Sequence, residues 1–213
     1  MKEKIILFTR VPKEGTTKTR LYDFMSPTEA VNIQKKLLKK NYDLLAETNR
    51  ELLVCHDGNN SDDKEMAELI SCDKFYYQKG DNLGDKMYNA LEEVISDSKV
   101  ILLGSDIFNL DKDIIEEAFE KLETHDIVTN PSEDGGYFLI GMKKAIKEVF
   151  DLPSYGDSSV LENLIKVLEK NNLTYYLGRA ALDIDIKEDL LYAETGYKNI
   201  KLLGAGEYNI NFT

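Results

Sequence analysis

Four cations, Arg10, Lys13, Lys18 and Arg20, fall within eleven residues of the segment Phe8-Thr-Arg-Val-Pro-Lys-Glu-Gly-Thr-Thr-Lys-Thr-Arg-Leu21. Gly15 allows backbone to approach a ligand closely, and the cations neutralise negative charge, so the segment is suited to holding a polyphosphate. Three other short stretches carry acids: Gly104-Ser105-Asp106, Glu133-Asp134-Gly135-Gly136 and Asp183-Ile184-Asp185. Carboxylates of this kind can hold Mg²⁺ together with phosphate oxygens. Cations at one point and acids at three others are the layout expected for a metal-chelated polyphosphate. Taken singly, Asp106 could be a turn or capping residue, Asp134-Gly135-Gly136 a tight turn, and Asp183 with Asp185 a solvated acidic stretch.

The background charge sharpens the basic segment. With 27 Lys and Arg against 39 Asp and Glu, the formal net charge is −12. Nucleic-acid affinity rests largely on phosphate neutralisation, so so acidic a chain predicts no nucleic-acid partner. The cations then read as a local device for a small anion. Several other chemistries lose support. A P-loop needs G-x-x-x-x-G-K-[ST], but Thr17 stands where its second Gly must be. The dinucleotide fingerprint and the nucleophile elbow are absent, and Gly204-Ala205-Gly206 is expected to be a turn. His56 and His125 are too few for a histidine metal site and are expected at the surface or at strand ends. Cys55 and Cys72 lack zinc-site spacing and read as reduced packing residues.

The elements that must position these residues follow from apolar patterning. Ile5–Phe8, Leu52–Cys55, Phe75–Tyr77, Val100–Leu103, Ile127-Val128, Tyr137–Ile140 and Leu173–Leu177 read as strands. Between them run helical stripes. The first starts at a capping box, Ser26 with Glu29 and Pro27 at the first helical position, and continues through Ala30, Ile33, Leu37 and Leu44. Leu83, Met87, Leu91 and Val94 mark a second helix, Ile114 to Leu122 a third, Leu161 to Leu168 a fourth, and residues 187–195 a short last one. Strand–helix alternation predicts an α/β fold with a mostly parallel sheet flanked by helices, and ligands in such sheets sit beyond the carboxyl ends of the strands. Each of the four polar clusters follows a strand, so all are expected on one edge. No linker or repeat divides the chain, which predicts one domain over residues 1–213. The first apolar run is too short for a signal peptide or membrane span, so a cytoplasmic protein is expected.

The same residues, in this order, resemble the glycosyltransferase-like branch of the nucleotide-diphospho-sugar transferase superfamily. In pattern the chain is similar to 2-phospho-L-lactate guanylyltransferases and more distantly to molybdenum-cofactor guanylyltransferases. The family pattern F-x-K-x-P-x-x-G-x-x-K-T-R-L is met by Phe8, Arg10 in place of Lys, Pro12, Gly15, Lys18, Thr19, Arg20 and Leu21. Asp81 to Met87 correspond to G-D-L-G-x-R-M, Gly104-Ser105-Asp106 to G-S-D, and Glu133–Tyr137 to E-D-G-G-Y. Asp183, Asp185, Asp189 and Leu190 correspond to the late D-x-D-x-x-x-D-L. The resemblance implies a GT-A-like, Rossmann-like domain in which Lys18, Arg20 and Asp106 carry catalysis. Nucleotide binding is implied for Arg10, Gly15, Lys18, Arg20, Gly84, Lys86 and Ser105, and substrate binding for Asp134, Gly135 and Gly136. Asp106 with Asp183 or Asp185 would bind Mg²⁺ or Mn²⁺. Three departures stand out: Asn109 replaces the usual acid, Lys86 the usual Arg, and Tyr155 the usual Trp. The Asn109 amide oxygen could still coordinate Mg²⁺ or bond a ribose hydroxyl, and Asp106 is expected to contribute little to core packing.

Three functions are compatible with these residues: nucleotidyl transfer from a nucleoside triphosphate, glycosyl transfer from a nucleotide sugar, and nucleotide binding without turnover. Either enzyme implies a metal-dependent transferase with a nucleotide or nucleotide-sugar donor and a small-molecule acceptor.

Overall fold

The computed structural model describes residues 1–195, so the turn expected at Gly204-Ala205-Gly206 lies outside the described residues. Chain order is β1 (Lys2–Thr9), α1 (Pro27–Ala46), β2 (Glu51–His56), α2 (Asp63–Ile70), β3 (Phe75–Tyr77), α3 (Leu83–Val94) and β4 (Ser98–Gly104). There follow α4 (Lys112–Lys121), β5 (Ile127–Pro131), β6 (Tyr137–Met142), α5 (Val160–Lys170), β7 (Tyr175–Leu177) and α6 (Lys187–Thr195). The strands form one sheet in the order β3-β2-β1-β4-β6-β5-β7. Every neighbouring pair is parallel except the two made by β6, which runs antiparallel between β4 and β5. The sheet is thus mostly parallel, as the alternation predicts. The reversal at β6 follows from the short 132–136 turn, since two strands joined so tightly must pair as a hairpin.

Side chains alternate across the pleat, so Ile5 and Leu7 of β1 face one layer and Ile6 the other. The first layer holds α1, α2 and α4, through Leu38, Leu45, Met66, Ile70, Ile115 and Phe119. The second holds α3 and α5, through Met87, Leu91, Leu164 and Leu168. β4 lies between β1 and β6 and is buried almost throughout, which explains its continuous apolar run. A third cluster joins Leu21, Leu37, Leu182, Ile184 and Leu190, so the basic segment, the start of α1 and α6 share one small core.

Predicted and observed elements agree closely. The capping box forms, with Ser26 accepting from the Glu29 amide and Glu29 accepting from the Ser26 amide. Helix α2 is absent from the sequence-based expectation, because in eight residues Met66 and Ile70 alone are buried and give too short a stripe to recognise. His56 is at a strand end as expected but is wholly buried rather than on the surface. Cys55 and Cys72 are buried free thiols. Among the described residues no helix is long and apolar enough to cross a membrane.

Candidate active site

The four polar clusters meet beyond the carboxyl ends of β1, β4 and β5. The basic segment leaves β1 as a tight loop held by its own hydroxyl. The Thr17 hydroxyl accepts from the Lys13 amide at 2.9 Å and donates to the Val11 carbonyl at 3.4 Å. At its outer end Gly15 has a φ of +82°, and a side chain there would point into open space. Backbone conformation, rather than crowding, therefore favours glycine here, and the space above it is open to a ligand.

Of the four cations, three find separate carboxylates. Lys18 adopts φ +50°, rare for a side-chain-bearing residue, which turns its ammonium inward to donate to Asp106 Oδ2 at 2.9 Å. Its side chain is only 4% exposed. Arg20 reaches Asp185 Oδ2 at 2.6 Å, with both side chains largely in solvent. Lys13 pairs with Asp62 on the turn after β2, away from the strand-end acids, so it anchors the loop rather than adding charge to the site. Arg10 is exposed; its guanidinium approaches the Thr16 carbonyl at 3.4 Å, and its charge acts on Asp106.

Asp106 leaves β4 supported from behind by α1. Gln34 donates to the Ser105 hydroxyl at 3.0 Å, and that hydroxyl shares a 2.7 Å hydrogen bond with Thr9. Asn41 donates from one amide nitrogen to the carbonyls of both Ser105 and Ile107, at 3.0 and 2.9 Å, gripping the backbone on either side of Asp106. Ser105 itself is 3% exposed, so its hydroxyl braces the loop from within instead of facing a nucleotide. Strand alternation explains this, since Ser105 points to the α1 layer while Asp106 points out. Gln34 and Asn41 were not singled out from sequence. Their signal is there nonetheless, as two polar residues seven apart on the otherwise apolar stripe of α1.

The late acids come from the chain after β7. Ala181 bridges Ser132, and Asp183 bridges Ile107 in antiparallel fashion, so Asp183 stands beside Asp106. Burial pushes the Asp183 carboxyl up to about 7, and the charges of Asp106 and Asp134 add to that. Burial acts in the same direction on Asp106, but the charge and hydrogen bond of Lys18, helped by a backbone amide and Arg10, prevail and hold it below the usual carboxylate range. Asp185 is turned away toward Arg20. Asp189 caps the start of α6 by accepting from the amides of Asp185 and Ile186, at 2.9 and 2.8 Å.

Asp134 closes the β5–β6 turn by accepting from the Ser132 hydroxyl at 2.5 Å and the Gly136 amide at 2.9 Å. Gly135, at φ +91°, has the Ser158 backbone 2.4 Å from where a Cβ would be. Its carbonyl accepts from the Leu161 amide, so it docks the hairpin on the start of α5. Gly84 likewise meets the Phe150 carbonyl at 2.2 Å from its missing Cβ, and Tyr155 lies against it. Both glycines therefore have packing reasons to be glycine. Tyr155, in place of the family Trp, donates its hydroxyl to that same Phe150 carbonyl at 2.9 Å. The Asn109 side-chain oxygen accepts from the Leu182 amide at 2.8 Å, and so is engaged with backbone rather than offered to an ion or ribose.

These elements border a cleft of about 170 Å³ whose polar floor is Asp106, Asp183 and Ser132 and whose walls are Phe8, Leu83, Met87 and Tyr137. Leu83, 43% exposed, opens the α3 stripe yet faces the cleft mouth. Lys86 is half-buried on the first turns of α3, next to Met87. Among the described residues no set of three or more His, Cys, Asp or Glu side chains stands together as metal ligands. The acids offer a pair, Asp106 and Asp183, with hard oxygen donors. Mutual repulsion in that pair would be relieved by a divalent cation, so the donor set fits Mg²⁺ or Mn²⁺ completed by phosphates and water.

Known proteins resemble this chain in sequence and in fold. The 2-phospho-L-lactate guanylyltransferase of Methanocaldococcus jannaschii is 28% identical over 200 residues, spanning 89% of this chain and 81% of the relative. That of Methanobrevibacter smithii is 28% identical over 186 residues, spanning 84% and 79%. A crystal structure from Desulfovibrio desulfuricans G20, provisionally described as a nucleotide-diphospho-sugar transferase, superposes with a TM-score of 0.83 at 27% identity, over 93% of this chain and 89% of that one. A family model described as an uncharacterized protein conserved in bacteria (DUF2064) matches residues 40–157, more than half of the chain, including Asp106 and the Asp134–Gly136 turn. The chain thus belongs to the DUF2064 family and is a transferase of the nucleotide-diphospho-sugar transferase superfamily.

Proposed function

We propose that the protein is a metal-dependent nucleotidyltransferase that moves a nucleoside monophosphate from a nucleoside triphosphate to a small anionic acceptor. The observation that carries this reading is the Lys18–Asp106 pair set beside Asp183, with the exposed guanidiniums of Arg10 and Arg20 around it. An acceptor oxygen attacks the α-phosphorus, the bond from that phosphorus to the bridging oxygen breaks, and pyrophosphate leaves with the electron pair. Arg10 and Arg20 meet the β- and γ-phosphates, where negative charge accumulates. Lys18 holds the Asp106 carboxyl below the usual carboxylate range, and its charge lies at the inner end of the triphosphate path. A divalent ion held by Asp106 and Asp183 would polarise the phosphoryl oxygens and neutralise the leaving group. Asp185 is assigned to Arg20 rather than to the metal. The apolar cleft walls, with Lys86 at one side, would take the base or the acceptor, and the Asp134 turn borders the acceptor side.

The names of the M. jannaschii and M. smithii relatives make GTP the first donor to try and a phosphorylated carboxylic acid the first acceptor. The test is a panel of nucleoside triphosphates and nucleotide sugars with such acceptors, in Mg²⁺ and then Mn²⁺. Pyrophosphate release supports nucleotidyl transfer. Release of nucleoside diphosphate instead would replace it with glycosyl transfer. Tight binding with neither product across the panel would mean a nucleotide-binding protein without turnover.

A further inference from the structure

Asn109 is the position where the sequence parts most clearly from its family pattern, and the proposed chemistry leaves it unused. Its surroundings give it a different task. Four hydrogen bonds fasten residues 181–184, the segment that carries Asp183. The Ala181 amide donates to the Pro131 carbonyl at 3.1 Å, and the Leu182 carbonyl accepts from the Phe108 amide at 2.8 Å. The Ile184 amide donates to the Asp106 carbonyl at 3.2 Å, and the Leu182 amide donates to Asn109 Oδ1 at 2.8 Å. Three of these are backbone to backbone and follow from strand geometry. The fourth depends on one side chain, and it holds the residue immediately before Asp183.

The choice of an amide has a physical reason. Asp106 and Asp183 already stand side by side on the cleft floor. An aspartate at 109 would supply the same acceptor oxygen and add a further negative charge beside the segment. An asparagine supplies the acceptor without the charge. Its side chain also pairs two loops that come from opposite ends of the sequence, the exit of β4 and the chain after β7. Neither loop alone defines the spacing between Asp106 and Asp183.

We propose that Asn109 is a positioning residue for the metal-binding pair, fixing Asp183 against Asp106 through the Leu182 amide. This rests on the assignment of Asp106 and Asp183 as the pair that holds the divalent ion. Supporting partners of metal ligands are commonly worth about 10- to 100-fold in affinity. Because Asn109 is exposed, its replacement removes no core side-chain packing and costs only the acceptor of the Leu182 amide.

The test is Mn²⁺ binding by the full chain, with free ion counted by electron paramagnetic resonance, so no turnover is required. Asn109→Ala should weaken Mn²⁺ binding about tenfold with only the small loss of thermal stability that one missing hydrogen bond brings, and Asn109→Asp, which keeps the acceptor, should stay within about threefold of the parent. Asp183→Asn should nearly abolish binding, and adding Asn109→Ala to it should change nothing more. Parent-like Mn²⁺ affinity in Asn109→Ala, with binding lost in Asp183→Asn, would overturn the positioning role alone. Parent-like affinity in Asp183→Asn would overturn the metal pair and this inference with it. A kinetic readout distinguishes position from general damage: Asn109→Ala should raise the Mn²⁺ concentration giving half-maximal rate while leaving the rate at saturating Mn²⁺ near that of the parent.

Discussion

Two ion pairs tie the basic segment to the strand-end acids, and they differ in almost everything but their chemistry. Lys18 meets Asp106 with its side chain 4% exposed, while Arg20 meets Asp185 with its side chain 62% exposed. The first pair sits against Asn41, Ser105 and the end of β4, at a residue held in left-handed backbone. The second lies between a surface turn and the chain ahead of α6. A buried pair whose partner is removed leaves an uncompensated charge, whereas an exposed pair is worth little and exchanges readily. Lys18–Asp106 is therefore part of the built site, and Arg20–Asp185 is a contact that an incoming phosphate can displace.

The largest effect that would break this comparison is at Lys18. Lys18→Ala should destabilise the fold by about 2–3 kcal/mol, because Asp106, 36% exposed and so partly screened by solvent, is left beside Asp183 without its ammonium. Nucleotide binding should fall below detection. Both are read by urea denaturation and by calorimetric titration with GTP and Mn²⁺. Asp106→Asn is expected to destabilise too, since it strands the buried ammonium. From sequence alone Asp106 reads as a strand-end acid with little packing role, and the inward turn of Lys18 corrects that. If Lys18→Ala unfolds at the parent's urea midpoint, the two pairs are equivalent after all.

Next in size is a pH effect at Asp183, the acid that faces carboxylates. Its carboxyl is raised to about 7, so the folded protein keeps a proton that the unfolded chain releases near pH 4. Below pH 4 both states are protonated and the group has no effect. Stability is lost as pH rises from about 4 to about 7, and the loss is constant above that. In full the difference would be ~4 kcal/mol, and solvent at the cleft mouth reduces it to about 1–2 kcal/mol. Asp183→Asn removes the loss, so the metal-free variant should be more stable than the parent at pH 8 and equal to it at pH 4. Equal stability of variant and parent at pH 8 would show that the carboxyl ionises at an ordinary value.

Why one pair is buried and the other exposed could not be seen in the chain, where Lys18 and Arg20 are two residues apart in a hydrophilic run. The strands were legible because most are buried on both faces and read as short apolar blocks, as in Val100–Leu103. The gathering of Asp106, Asp134 and Asp183 was legible too, because parallel strands deliver their exits to one edge. What sequence lacks is direction. Pleat alternation turns Ser105 inward and Asp106 outward, and a single left-handed residue sends Lys18 inside while Lys13 and Arg20 go elsewhere. Gly84 and Gly135 look like ligand-binding glycines in a motif, yet each is pressed against a distant backbone atom, Phe150 and Ser158. Such long-range contacts leave no local periodicity. Helix α2 is missed because its buried stripe is too short, and the support from Gln34 and Asn41 because its meaning depends on what those side chains are packed against.

The smallest expected effect sharpens the comparison from the other side. Arg20→Ala and Asp185→Ala should each change stability by less than about 0.5 kcal/mol, as exposed pairs do. Their effects on nucleotide should diverge in sign. Arg20→Ala removes a guanidinium from the triphosphate path and should weaken GTP binding about tenfold at low salt. Asp185→Ala frees the same guanidinium from its competitor and should leave binding equal or up to about threefold tighter. Both differences should shrink toward the parent as ionic strength rises from 0.05 to 0.5 M, where the Debye length falls from about 14 to about 4 Å. Lys18→Gln, by contrast, should remain defective at every salt concentration, because its charge acts in a buried pair. Calorimetric titrations of the three variants across that salt range decide the matter. A loss of GTP affinity in Asp185→Ala as large as that in Arg20→Ala would mean that the exposed pair works as a unit and is not displaced by phosphate.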